Sequence, residues 1–235
     1  MDRLDNVLDE IESLCNPVSI FLYGSRARLD FLENSDYEIG VLMYEGKYTG
    51  RSEIRKAINE SDFSIYPFRY EGFLAGKIDT PFQKSIYLYE LISVGKTLRG
   101  EKVVEKMDLP FIHIIDLMQE IRFCIGLSLA AVISYRNGDL KTASVEFYKS
   151  CLFGLGALGA SETKQVSFSY EDKYNLSRKI NLGEYEQLVS RAYFVRINGG
   201  VCEEADLFKN ISFLNEFVET RIVEEFTNSG NVRLV

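Results

Sequence analysis

The sequence predicts an α+β domain, with a mixed sheet and flanking helices, followed by an all-α helical bundle. Before Pro110, short segments rich in β-branched and aromatic residues alternate with segments of helical period, as strands and helices do within one mixed domain. After Pro110, apolar residues recur at helical spacing, which is the pattern of a bundle. A charged stretch at 100–108 separates the two patterns, so we expect domains at 1–106 and 107–235.

The first domain opens with a helix, a strand and a tight turn. Apolar residues at three- and four-residue steps predict a helix over residues 3–14, which the Asn-Pro pair at 16–17 ends. The β-branched and aromatic segment 18–23 predicts a strand. The Gly-Ser pair at 24–25 follows it directly and predicts a tight turn, which a brief helix at 25–31 continues.

Residues 36–43 form the most informative segment of this domain. Apolar residues at every second position predict a strand that carries Asp36 and Glu38 on one face. A helix is expected at 51–59, and a further strand at 63–68, where a proline places the far end at an edge or a bulge.

A capping pattern predicts the next helix. Thr80 offers an N-cap hydroxyl, Pro81 suits the first helical position, and Gln83 lies three residues after the cap, so we expect a helix from Pro81 to about Ser93. In the second domain the helical spacing predicts helices over 112–135, 140–155, 184–195 and 205–226.

Charge and composition exclude several classes of protein. Asp and Glu outnumber Lys and Arg by 35 to 27, and the net charge of −8 has the wrong sign for coating a polynucleotide. The four cysteines are scattered and the chain has one histidine, which argues against structural zinc, a Cys/His nucleophile pair and a disulfide framework. A reducing compartment fits this cysteine usage.

The sequence also predicts a cytoplasmic protein without a membrane segment. Residues 1–14 are acidic and amphipathic, unlike a signal peptide. The longest apolar stretch, 123–133, is shorter than the roughly 18 residues that a membrane-spanning helix needs.

Four residues between 21 and 42 form a pattern suited to phosphate chemistry. Gly24 lets a phosphate approach backbone N–H groups, and Ser25 adds a hydroxyl at the start of a helical turn. Asp36 and Glu38, two residues apart on a strand, point the same way and could hold divalent metals that bridge a triphosphate. Single Gly-Ser turns and Asp-x-Glu pairs are common, so the spacing that joins them carries the information.

The segment FLYGSRARLDFLENSDYEIGVL resembles the signature of the DNA polymerase β-like nucleotidyltransferase superfamily, and SRAR and SDYEIGVL are similar to its minimal and aminoglycoside-type members. The resemblance covers about residues 1–101. It implies a transferase that moves a nucleoside monophosphate from an NTP to a hydroxyl of a small molecule or a protein, with Mg²⁺ or Mn²⁺ bound by Asp36 and Glu38. Arg26 or Arg28 could add positive charge at the triphosphate. A long nucleic acid is disfavoured as acceptor by the net charge, and a homodimer is left open.

The superfamily also implies a third carboxylate on a later strand, which completes the metal site and serves as base. The candidate positions on the strand at 63–68 are Ser64 and Tyr66, neither of them acidic. Asp62 lies one residue before this strand, and Glu71 lies further along. The alternative hypothesis is therefore a catalytically impaired module that binds a nucleotide or a protein partner. The glycine that usually follows SRAR is also replaced, by Leu29, which is expected to affect the turn.

Other motifs are interpreted as structural. The Gly-Lys-Thr at 95–97 lacks the first glycine of a P-loop, since position 90 is Glu90. The glycines at 154, 156 and 159 spell G-x-G-x-x-G, but they follow a helical segment and not a strand, so we expect them to let helices approach closely. His113 is expected to be a packing or capping residue, and the Arg-His motif of HEPN ribonucleases is absent.

Overall fold

The computed structural model describes residues 3–33, 35–80 and 82–234. The chain forms two compact units, which divide after Pro110. Phe82 and Gln83 belong with the second unit, although they precede the division in sequence.

The first unit is a four-stranded mixed sheet with helices on both faces. Its elements in chain order are α1 (Arg3–Cys15), β1 (Ser19–Tyr23), α2 (Gly24–Arg28), β2 (Tyr37–Met43), α3 (Arg51–Ala57), β3 (Phe63–Arg69), α4 (Tyr70–Leu74), α5 (Lys84–Val94) and β4 (Lys96–Gly100). The strand order is β3-β2-β1-β4, with β1 antiparallel to β2 and β4, and β2 parallel to β3. The predicted fold class is confirmed.

Strand periodicity sends alternate side chains of the sheet to two separate cores. On one face, Ile39 and Val41 of β2 pack with the apolar stripe of α1 and with Ile54 of α3. On the other face, Phe21 of β1 and Leu42 of β2 pack with residues of α4 and α5. The even-numbered positions of β2 therefore face α5, and Glu38 is one of them.

The second unit is helical. It contains α6 (Ile114–Arg136), α7 (Leu140–Thr163), α8 (Tyr170–Leu176), α9 (Glu186–Asn198), α10 (Glu204–Ser212) and α11 (Thr220–Ser229). Seven residues of π-helix, Phe213–Glu219, join α10 to α11, so the predicted helix over 205–226 exists but changes its winding in the middle. The short helix α8 was not predicted.

Several predicted helix boundaries were wrong. The helix expected over 25–31 ends at Arg28, because Leu29 adopts a left-handed conformation. The helix expected from Pro81 begins at Lys84, and Pro81 itself lies outside the described residues. The side-chain amide of Gln83 is buried and donates to Asp116 Oδ1 of α6 at 2.7 Å. The helix expected over 184–195 runs instead from Glu186 to Asn198, and the helix expected over 140–155 continues to Thr163.

Helix α6 bears on the expected absence of a membrane segment. By length and composition, this 23-residue helix is apolar enough to cross a membrane, with a mean hydropathy of 1.5 over its most apolar window. The stretch at 123–133 understates this, because apolar residues continue on both sides of the polar positions that bound it. A core helix of a globular unit passes the same test, and α6 packs along α7. A cytoplasmic, membrane-free protein stays a prediction.

Candidate functional site

Two acidic residues and a serine meet at the start of β2 and β3. Glu38 lies opposite Tyr23 of β1 in the antiparallel ladder and opposite Ser64 of β3 in the parallel ladder. Asp36 directly precedes β2, and its Oδ2 accepts a hydrogen bond from the Ser64 hydroxyl. Asp36, Glu38 and Ser64 are all partly buried. The side chains therefore lie together on the face of the sheet that the sequence assigned to the two acids.

Gly24 lies against the carboxylate of Glu38. Its φ of +68° is a left-handed conformation that favours glycine, and a Cβ at this position would stand 1.7 Å from Glu38 Oε2. Ser25, at the start of the short α2, is also buried. The Gly-Ser turn and the carboxylate pair, which are separated by ten residues in sequence, thus form one continuous site.

Arg26 and Arg28 both have partners within the first unit. Arg26 donates to the Ser35 carbonyl oxygen through Nε at 3.0 Å and Nη2 at 2.6 Å, and its guanidinium carbon lies 4.0 Å from the ring centroid of Tyr37. Arg28 forms ion pairs with Asp30 and with Glu90 of α5. These contacts fix the loop that leads to Asp36. A phosphate could contact either guanidinium directly only by sharing the guanidinium with its present partners or by replacing those partners.

No other carboxylate joins Asp36 and Glu38 in the part of the chain that the structure describes. Asp62 forms an ion pair with Arg3 at 2.6 Å, and hydrogen bonds from Ser61 and Arg3 hold the pKa of Asp62 below its usual range. Glu71 accepts a hydrogen bond from the backbone of Glu45 at 3.3 Å. Among the described residues, no three His, Cys, Asp or Glu side chains are grouped to hold a metal ion. The hydroxyl of Ser64 stands at the strand position where a third acid was sought.

A row of tyrosines lines the carboxylates on the α5 side. The hydroxyls of Tyr23 and Tyr87 lie 2.9 Å apart, and the Tyr23 ring packs edge-on against Tyr66 with centroids separated by 5.9 Å. Burial raises the pKa of Tyr23 and of Tyr87, and the nearby negative charge of Glu38 raises both further. Both phenols therefore stay protonated at neutral pH and act as neutral polar groups beside the acids.

Sequence reasoning missed Arg51. This exposed residue begins α3, and its guanidinium carbon lies 4.0 Å from the ring centroid of Tyr66. No local pattern pairs an arginine at a helix start with a tyrosine 15 residues later, because the contact arises from the packing of α3 on β3. The sequence shows only an arginine at a predicted helix start and a tyrosine on a predicted strand, with nothing that pairs them.

The α7 glycines and His113 have the structural roles that the sequence predicts for them. The glycines at 154, 156 and 159 lie inside α7, where added Cβ atoms would meet the side chains of Leu214, Lys173 and Leu176. His113 is the N-cap residue of α6, and its backbone N–H donates to Asp116 Oδ2 at 2.8 Å. The four cysteines are buried thiols.

Comparison with known proteins gives a structural match. No family model matches the sequence, and no curated protein matches it significantly. The solved structure of spectinomycin adenyltransferase AAD(9) from Enterococcus faecialis, crystallised with ATP and spectinomycin, matches with a TM-score of 0.58 and 14% sequence identity. The match covers 93% of this chain and 99% of that chain. This chain therefore has the fold of that adenyltransferase.

This fold assignment extends beyond the sequence resemblance. The motifs supported a nucleotidyltransferase fold over about residues 1–101, whereas the structural match also includes the helical unit. The similarity to aminoglycoside nucleotidyltransferases that SRAR and SDYEIGVL suggested is confirmed at the level of the fold. At 14% identity the match leaves the activity of this chain to be argued from its own residues.

Proposed function

We propose that this chain is a metal-dependent nucleotidyltransferase that moves a nucleoside monophosphate from an NTP to a hydroxyl group of an acceptor. The observation that carries the proposal is the contact between Gly24 and the Glu38 carboxylate. A turn that presents backbone N–H groups to phosphate is of most use when the metal-binding acids lie beside it, and this contact brings the two together.

The turn would hold the triphosphate. Gly24 has no side chain to block the approach of an anion, and Ser25 contributes a backbone N–H and a hydroxyl. Arg26 and Arg28 lie directly after the turn and would raise the local positive potential while keeping their structural contacts.

Asp36 and Glu38 are the residues that would bind Mg²⁺ or Mn²⁺. Mg²⁺ is commonly held by one or two carboxylates together with substrate phosphates, so a pair of acids on one face suits a metal that arrives with the nucleotide. Such a metal neutralises charge that develops on the phosphates. The Ser64 hydroxyl, which donates to Asp36, fixes the orientation of that carboxylate.

The acceptor hydroxyl would attack the α-phosphorus, and pyrophosphate would leave. Because Ser64 cannot take up a proton as a carboxylate would, the proton of the hydroxyl would pass to water or to the substrate. We therefore expect slow turnover from the natural sequence.

A small molecule is the acceptor class that the comparison favours, because the matching enzyme was crystallised with ATP and spectinomycin. A protein hydroxyl is the other acceptor class that the sequence leaves open. A long nucleic acid is disfavoured by the net charge of −8. We place the reaction in the cytoplasm and leave open a homodimer formed through the helical unit.

A second candidate function is a module that binds a nucleotide or a protein partner without turnover. Ser64 favours it, because a hydroxyl occupies the strand position that faces Asp36. A site that has lost its base could still bind the triphosphate through the turn and the two acids.

The test introduces a third carboxylate at position 64, where the chain has a serine. The wild type and the Ser64→Asp and Ser64→Asn variants are incubated with each α-labelled NTP, with Mg²⁺ or Mn²⁺, and with a cell extract as the source of acceptor. We expect label transfer by the wild type, loss of transfer in Asp36→Ala, and transfer about a hundredfold faster in Ser64→Asp, as a general base typically provides.

Ser64→Asn is the matched control, since it has the size of aspartate without the charge. NTP binding by every variant without transfer by any, Ser64→Asp included, would establish the non-catalytic module. Absence of NTP binding by the wild type would contradict the transferase and a nucleotide-binding module, and would leave only a module that binds a protein partner.

A further inference from the structure

We infer that the acceptor carries an anionic group, a carboxylate or a phosphate, which Arg51 binds beside the ring of Tyr66. The inference rests on the proposed function and names the class of acceptor for the same site.

The geometry of the sheet fixes the side from which the acceptor arrives. Gly24 and Ser25 follow β1, the acids belong to β2, and β3 lies on the opposite side of β2 from β1. In an in-line displacement the entering and leaving oxygens lie on opposite sides of the phosphorus. A triphosphate held at the end of β1 therefore directs its leaving group toward β1, and the attacking hydroxyl comes from the side of β3.

The side chains that β3 presents there are Ser64 and Tyr66. Tyr66 lies two residues after Ser64, about 7 Å along the strand, on the face shared with Glu38. Its ring is partly buried and packs on Tyr23, so it forms a fixed apolar wall for a sugar or another ring-shaped acceptor.

Arg51 supplies the charge at this wall. In the described ranges 3–33, 35–80 and 82–234, no carboxylate forms an ion pair with Arg51, and its contact is with the face of Tyr66. Two other arginines of this unit are engaged by carboxylates: Arg28 pairs with Asp30 and Glu90, and Arg69 pairs with Glu45. Arg51 is therefore available to an incoming anion, and stacking on Tyr66 orients its planar donors.

The charge of Arg51 favours an anion at this position. Asp36 and Glu38 by themselves would attract a positively charged acceptor, but such an acceptor would be repelled by the guanidinium of Arg51 beside Tyr66. A phosphate or carboxylate on the acceptor would instead form charge-assisted hydrogen bonds with Arg51 and hold its hydroxyl near Ser64.

The primary test measures binding of inorganic phosphate by NMR to the protein saturated with a non-hydrolysable ATP analogue. We expect the Arg51 Nε–H resonance to shift on titration, and Arg51→Gln to weaken phosphate binding about tenfold or more, which corresponds to one hydrogen-bonded ion pair. Arg55→Gln is the matched control, because Arg55 is exposed on the same helix and should leave phosphate binding unchanged. Equal phosphate binding by wild type and Arg51→Gln, or none by either, would overturn the inference.

A transfer assay then compares acceptors that share one ring and differ in charge: glucose, glucuronate, glucose 6-phosphate and glucosamine. We expect the anionic pair to be the better acceptors for the wild type, and Arg51→Glu to reverse the preference toward glucosamine. Transfer that favours glucosamine in the wild type would overturn the inference while leaving the proposed function intact. Failure of the ATP analogue to bind would count against the proposed function, and the phosphate titration without analogue would still decide the role of Arg51.

Discussion

The Gly-Ser turn of the first unit and the glycine-rich stretch of α7 use the same residue for different purposes. At Gly24 the missing side chain leaves room for a carboxylate that is a candidate metal ligand, and the backbone is left-handed. At Gly159 the missing side chain leaves room for Leu176, which is buried against an ordinary helix. A glycine motif therefore indicates function when the atom filling its space is chemically reactive, and packing when that atom is apolar.

Gly24→Ala is expected to have the largest effect among the substitutions that distinguish a glycine of the site from a glycine of helix packing. The new Cβ would collide with Glu38 Oε2 and displace the carboxylate, and alanine would also occupy a left-handed conformation that costs about 1 to 2 kcal/mol. We expect nucleotide binding to weaken at least about tenfold, as measured by titration with an ATP analogue and Mg²⁺.

Gly138→Ala is the control for that variant. Gly138 has a similar φ of +81°, and nothing lies within 4 Å of a Cβ added there, so its substitution introduces the backbone strain without a collision. Gly138→Ala should lose only the stability that the strained backbone costs, and only Gly24→Ala should also lose nucleotide binding. Equal binding by the two variants would show that the contact with Glu38 is not needed for the site.

Gly159→Ala should have a smaller effect, confined to stability. Its Cβ would lie 2.4 Å from Leu176 Cδ1 and 3.3 Å from two further atoms of that side chain, and overpacking of this kind costs about 1 to 3 kcal/mol. The gain in helix propensity, about 1 kcal/mol, offsets part of that cost. We expect a lower midpoint of thermal unfolding and unchanged nucleotide binding.

The matched helical control is Gly126→Ala on α6, where nothing lies within 4 Å of an added Cβ. It receives the gain in propensity without the overpacking and should raise the midpoint. A loss of nucleotide binding in Gly159→Ala, at intact folding, would contradict the interpretation of the α7 glycines as packing residues.

Local patterns in the sequence predicted the parts of the site that depend on one strand or one turn. Period-two alternation placed Asp36 and Glu38 on one face, and the Gly-Ser pair marked the turn after β1, because both signals arise from neighbouring residues. Other contacts of the site join residues from different elements. They are the ion pair of Arg28 with Glu90, the hydrogen bond from Ser64 to Asp36 and the stacking of Arg51 on Tyr66. No local period encodes such contacts, so they required the tertiary structure.

The start of α5 was predicted wrongly because it also depends on contacts between elements. The sequence around Thr80 satisfies the rules of a capping box, yet the helix begins at Lys84 and the side-chain amide of Gln83 donates to the buried Asp116 of α6. A hydrogen bond to a buried carboxylate of another element is a tertiary contact that the local rule does not include.

The smallest expected effect is that of a substitution at Leu29. This position is the reverse of Gly24, because it carries a side chain where the backbone conformation favours glycine. Its φ is +69° at the end of α2, and 74% of the residue is exposed, so Leu29→Gly relieves left-handed strain and loses little packing. The extra freedom of glycine in the unfolded chain offsets part of the gain, and we expect stabilisation by about 0.5 to 1 kcal/mol, measured by thermal unfolding. Leu29→Ala, which keeps a Cβ and hence the strain, should leave the midpoint nearly unchanged. If alanine stabilised the protein as much as glycine, the exposed leucine side chain and not the backbone conformation would be the source of the gain.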